Sequence, residues 1–83
     1  MKELKQAVQD GNVLIGTERV MKAVKAGNLK KVFLAKNCPA EVKRDIEHYA
    51  SLGSISVEQV EMDNEELGVF CKKNFFVSVI GVA

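Results

Sequence analysis

The run Ile15-Gly16-Thr17-Glu18-Arg19-Val20-Met21-Lys22 passes from an apolar stretch through a glycine directly into a basic amphipathic segment. A strand-glycine-helix turn of this kind leaves the first helical N–H groups without intrahelical partners and lets a ligand approach the backbone, which suits an anion such as phosphate. A second grouping, Lys72-Lys73-Asn74-Phe75-Phe76, joins cations to aromatic rings. Lysines can hold phosphates while a ring packs on a base, so this loop suits nucleic acid. Alternation along the following residues can bury Phe76 with Ser78 and Ile80, or Phe75 with Val77 and Val79, so one ring is expected in the core. Cys38 precedes a helix start, where a thiol can become acidic. The single histidine, His48, lies ten residues further on, about 15 Å along a helix, so the two form no local dyad. Cys38 therefore reads as a filler or partly buried thiol and His48 as solvated.

These groups need a scaffold, and the hydrophobic periodicity supplies one. Met1 to Asp10 carries Leu4, Ala7 and Val8 on one helical stripe, with Gly11 as its cap. Asn12 to Ile15 reads as a short strand. The second helix turns Val20, Ala23 and Val24 one way and Arg19, Lys22 and Lys25 the other, and Gly27 stops it. Val32-Phe33-Leu34-Ala35 is continuously apolar, as expected of a strand covered on both faces. Asn37-Cys38-Pro39 ends that strand and starts a third helix with proline at its first position. Asn37 itself can cap a helical N–H. Val42, Ile46, Tyr49 and Ala50 form the buried stripe of this helix, Lys43, Arg44, Glu47 and His48 its polar face, and Gly53 its end.

Ser54 to Glu58 alternates as a strand. Asp63 and Glu66 form a capping-box pattern for a fourth helix that buries Leu67, Phe70 and Cys71, and Phe76 to Val82 reads as the last strand. The order αβαβαβαβ predicts an α/β fold, a three-layer α/β/α sandwich around a four-stranded mixed sheet. If the first two strands run parallel and the last antiparallel to them, the Gly16, Asn37 and Lys72–Phe75 loops meet at one edge, the usual ligand edge of such sheets.

Composition narrows the class further. A chain of 83 residues, 47% apolar, with one proline and six glycines, fits one small folded domain spanning residues 1–83. Two cysteines without metal-ligand spacing point to a reducing cytoplasm. The N-terminal Met1-Lys2-Glu3-Leu4-Lys5-Gln6 lacks a signal-peptide pattern, and the apolar run from Phe75 to Ala83 is too short to span a bilayer, so no membrane partner is expected. Net charge is only +1, yet Thr17 to Lys36 holds six basic residues against one acid, while Glu58 to Glu66 holds five acids and no base. Such asymmetry predicts a basic edge on a nearly neutral domain. No complete phosphate-loop signature, metal cluster or pair of carboxylates placed for a cleft is recognisable in the sequence, so neither catalysis, a metal nor a cofactor is expected.

The stretches Val32-Phe33-Leu34-Ala35-Lys36-Asn37-Cys38-Pro39-Ala40 and Asp45-Ile46-Glu47-His48-Tyr49-Ala50 carry a family resemblance. So do Ile15-Gly16 through Lys22 to Gly27, Glu66-Leu67-Gly68 and Phe75-Phe76-Val77-Ser78-Val79. Over these residues the chain resembles the L-seven-Ae superfamily of kink-turn RNA binders, in its archaeal and eukaryotic large-subunit branch, L-thirty-e. The resemblance implies a structural RNA-binding protein of the cytoplasmic ribosome that holds a sharply bent internal loop. Its partners would be ribosomal RNA or another kink-turn RNA, with neighbouring ribosomal proteins beside it. Together with the residue pattern it marks Gly16, Thr17, Glu18, Arg19, Lys22, Asn37, Lys43, Lys72, Lys73 and Phe75 as the candidate RNA-binding set.

Four features depart from the family pattern. Glu18-Arg19 stands where many members carry asparagine-glutamate, Lys72 where glycine is common, and Phe76 where this branch often has arginine. The sequence ends at Ala83, before the extension often found after the last strand. A freestanding kink-turn binder outside the ribosome, and a protein-interaction module using the acidic Glu58 to Glu66 stretch, are the alternative readings.

Overall fold

Eight elements alternate along the chain in a computed structural model that describes residues 2–83. They are α1 (Lys2–Asp10), β1 (Val13–Ile15), α2 (Thr17–Ala26), β2 (Lys31–Leu34), α3 (Ala40–Leu52), β3 (Ser56–Gln59), α4 (Asn64–Phe70) and β4 (Val79–Val82). Met1, where the expected first helix begins, lies outside the described residues. No helix among those described is long and apolar enough to cross a membrane.

Local chemistry accounts for most of these boundaries. Gly11 and Gly27 both take a left-handed φ of 73°. There the Gly27 N–H donates to the Val24 carbonyl and the Asn28 N–H to the Ala23 carbonyl, closing the last turn of α2 as a glycine cap does. At α4 the capping box is complete: the Glu66 N–H donates to Asp63 Oδ1 at 2.8 Å, and the Asp63 N–H to Glu66 Oε1 at 3.2 Å.

Several boundaries differ from expectation: β1 begins at Val13 instead of Asn12, and β2 runs Lys31–Leu34 instead of Val32 to Ala35. Pro39, with ψ 139°, stands just before α3 as its cap, so the helix begins at Ala40. Gly53 ends α3 with φ −100°, and it is Ser54 that turns left-handed, at φ 56°. The chain becomes a strand only after Ile55 has entered the core, which moves β3 to Ser56–Gln59. β4 starts at Val79 instead of Phe76, with the consequences for the phenylalanines described below.

The sheet order is β1-β4-β2-β3. β4 is antiparallel to both β1 and β2, and β3 is parallel to β2. Helices α2 and α3 cover one face, where Val20, Val24, Ile46 and Ala50 pack against Val32, Leu34 and Val79. Helices α1 and α4 cover the other, where Leu4 and Leu67 pack with Phe33, Ala35, Val77 and Ile80. The three-layer α/β/α sandwich is thus explained by β2: its alternate residues go to opposite cores, so every residue from Val32 to Ala35 is apolar.

Candidate nucleic-acid interface

Because β1, β2 and β3 point the same way and β4 opposes them, the segments leaving the first three strands and the segment leading into β4 share one edge. Backbone bonds hold the segments together there. The Gly16 N–H donates to the Val79 carbonyl at 3.4 Å, the Ala35 N–H to Ser78 at 2.9 Å, and the Lys36 N–H to Met62 at 2.9 Å.

Gly16 has φ 115° and ψ 140°, and no side chain caps the N-terminus of α2 beyond it. That backbone region is nearly exclusive to glycine. A Cβ built at Gly16 would have no atom within 4 Å, so glycine is required by the backbone angle, and the space beside it is open. Thr17, half-buried, is the first residue of α2, and Glu18 lies exposed in its first turn beside the positive end of the helix dipole. Arg19 and Lys22 are exposed on the same helix. Lys25 is committed elsewhere, with Nζ 4.9 Å from the Tyr49 ring centroid on α3. His48 is exposed and meets Tyr49 edge-on at 5.2 Å.

Asn37 does not cap α3. Its Oδ1 accepts the Asn64 N–H at 2.9 Å and its Nδ2 donates to Asn64 Oδ1 at 3.1 Å. The turn after β2 is thereby pinned to the start of α4, leaving one Nδ2 hydrogen and one Oδ1 lone pair of this exposed amide for a ligand. The Asn64 carbonyl in turn accepts the Val77 N–H at 3.0 Å, which ties in the third loop. Asn64 is the site residue that sequence reasoning missed: a partner 27 positions away leaves no local signal.

Neither phenylalanine is in the core: Phe75 is 54% exposed and Phe76 68%. The expectation that one ring is buried fails because residues 71–78 form a loop, so strand alternation does not govern them. The backbone of that loop lies directly on α4. A Cβ at Gly68 would collide with the Phe75 carbonyl oxygen and stand 3.3 Å from its carbon. Val77 and Val79, not the aromatic rings, anchor the loop in the two cores.

The result is a groove of about 580 Å³ in which Arg19, Lys73 and Phe75, far apart in sequence, stand with Val13, Ile15 and Gly11. Lys43 stands apart. It is half-buried on α3 and lines a different groove with Glu47 and Val57, beside β3. Lys72 is exposed and left-handed at φ 60°, a conformation that costs a side-chain-bearing residue roughly 1–2 kcal/mol. A glycine here, which the resemblance leads one to expect, would avoid that cost. Lys72→Gly is expected to raise the unfolding free energy by about 0.5–1 kcal/mol, part of the relief being offset by a more flexible unfolded chain. Urea denaturation checks this; an unchanged midpoint would show that any strain at Lys72 is no larger than the unfolded-chain entropy that the glycine adds.

Both thiols are shifted away from nucleophile chemistry. Burial pushes the Cys38 thiol up, with the Lys43 charge pulling weakly the other way, and Cys71 behaves alike beside Lys73. A raised thiol holds little thiolate at neutral pH.

Comparison with known proteins agrees with this architecture. Residues 1–83 match the model of the ribosomal protein L7Ae/L30e/S12e/Gadd45 family. Large ribosomal subunit protein eL30 of Methanothermobacter thermautotrophicus is 40% identical over 77 residues, covering 93% of this chain and 79% of that protein. The Tetrahymena thermophila protein of the same name is 35% identical over 80 residues, covering 96% and 77%. Among solved structures, a protein of unknown function from Bacillus halodurans C superposes with a TM-score of 0.84 at 29% identity, covering 95% of this chain and 78% of that one.

Proposed function

The chain belongs to the ribosomal protein L7Ae/L30e/S12e/Gadd45 family, and on that premise we propose that it is a structural RNA-binding component of the large ribosomal subunit. It acts in the cytoplasmic ribosome, without catalysis, and holds a kinked internal loop of ribosomal RNA on the edge that carries Gly16. The observation that carries this reading is the groove shared by Arg19, Lys73 and Phe75, beside an uncapped helix N-terminus and an open glycine.

In this reading RNA backbone approaches Gly16 and the free N–H groups of Thr17, Glu18 and Arg19, where no side chain obstructs it. Lys22, Lys72 and Lys73 neutralise phosphates. Arg19 reaches a guanine edge or a phosphate, Glu18 accepts from a base or turns outward, Asn37 uses its remaining donor and acceptor, and Phe75 packs on a base. Lys43, in the separate groove beside β3, contributes only at longer range and less strongly.

A gel-shift titration tests the proposal by comparing a kink-turn RNA with the same duplex lacking its bulge. Tighter binding to the kinked RNA is expected, and equal affinity would defeat the kink-turn reading. In the same assay Lys22→Ala should weaken binding to every RNA and lower the salt slope by about one phosphate contact. An unaltered slope would remove Lys22 from the interface. Co-sedimentation with large subunits separates this role from that of a freestanding RNA binder.

A further inference from the structure

The sheet has an open edge at β3, on the far side of β2 and β4 from β1. The Ser56 N–H donates to the Lys30 carbonyl and the Val60 N–H to the Leu34 carbonyl, so by the two-residue period of a parallel ladder Ser56, Glu58 and Val60 face β2. Val57 and Gln59 therefore turn their backbone N–H and carbonyl groups outward, away from the sheet. A groove flanks this edge on each side. The one toward α3, about 430 Å³, has Leu34, Ala50, Ile55 and Val57 as its apolar part and Lys43, Glu47, Ser51 and Gln59 as its polar part, so it suits uncharged side chains. The one toward α4, about 420 Å³, runs over Val60, Met62 and Phe70 with Glu58 and Glu61 on its rim.

We propose that β3 is a docking edge for an extended, basic segment of a partner protein, which adds to the sheet as a fifth strand. Pairing with Val57 and Gln59 would supply the backbone bonds. Side chains opposite them fall on the α3 side and suit small apolar residues. A side chain opposite Glu58 falls on the α4 side. There a lysine or arginine can lay its aliphatic stem over Val60, Met62 and Phe70 and bring its charge to Glu61. Glu58 is partly compensated by Lys31 at 3.3 Å, so Glu61 is the principal charge determinant. Charge also selects among occupants. Glu58 to Glu66 has five acids and no base, which repels RNA, and a second copy pairing through β3 would set Glu58 and Glu61 against their own equivalents. The surface lies at the opposite end of the sheet from the Arg19 groove and shares with the proposed RNA contacts only Lys43, so the two proposals are tested separately.

The test is a titration of the full chain with an acetylated Lys-Val-Lys-Val-Lys-Val-Lys peptide, read by amide hydrogen exchange. At saturation, protection of the Val57 and Gln59 amides should rise at least tenfold while the amides of residues 17–19 stay unchanged. A peptide with all three valines replaced by proline keeps charge and apolarity but loses strand pairing, and should bind at least tenfold more weakly. Glu61→Lys should weaken the valine peptide about tenfold without moving the unfolding midpoint. Equal binding of the proline peptide, or protection appearing elsewhere, would overturn the proposal. So would concentration-dependent protection of Val57 and Gln59 without peptide, which would assign the edge to a second copy.

Discussion

Gly68→Ala is expected to lower the unfolding free energy by about 3 kcal/mol, the upper end of the usual cost of overpacking. The added methyl meets the carbonyl of Phe75, a backbone group with no rotamer to change, so either α4 or the loop must move. Both are tied elsewhere: Leu67 and Cys71 lie in the core, and the Lys73 N–H donates to the Gly68 carbonyl at 2.8 Å. In a domain of this size such a loss lowers Tm by about 15 °C. Thermal and urea unfolding measure it. RNA affinity, determined where the variant is still folded, should fall as well, because the displaced segment carries Lys73 and Phe75. A variant with wild-type Tm would mean that α4 and this loop are not in contact.

Phe75→Ala should do the reverse, sparing the fold and impairing the interface. More than half of the ring is exposed, at 54%, so truncation removes little buried surface and should cost about 1 kcal/mol of stability or less. If the ring stacks on a base, kink-turn RNA binding should weaken by about 1–3 kcal/mol, roughly 5- to 150-fold. Phe75→Tyr keeps the aromatic face and should bind nearly as well, whereas Phe75→Leu keeps apolarity alone and should resemble alanine. Undiminished RNA affinity in a folded Phe75→Ala protein would exclude stacking and leave the ring as an apolar wall of the Arg19 groove. Phe76, at 68% exposed and outside that groove, serves as the control position.

The contrast between these two substitutions marks where residue patterns are sufficient and where they are not. Gly68 is recognisable in sequence only as part of the family stretch Glu66-Leu67-Gly68, since nothing local in α4 asks for a glycine. Phe75 and Phe76 illustrate the converse. Their alternation with Val77 and Ser78 predicts a strand, and a strand would bury one ring, but contact with Gly68 holds this segment as a loop until Val79. Asn37 likewise looks like a local cap, and its partner proves to be Asn64, across the sheet edge.

The amino-acid sequence by itself determined the eight elements and their order, the double-sided burial of Val32 to Ala35, the glycine caps at Gly11 and Gly27, and the Asp63–Glu66 capping box. All of these depend on neighbours within four residues, where periodicity and turn chemistry act directly. Only the tertiary structure decided the strand order β1-β4-β2-β3, and with it the meeting of the Gly16, Asn37 and Lys72–Phe75 loops and the groove joining Arg19, Lys73 and Phe75. It also decided that β1 and β3 are the edge strands. The physical reason is that strand pairing and loop packing are contacts between segments tens of residues apart, and their energies belong to the assembled sheet rather than to any one stretch of chain.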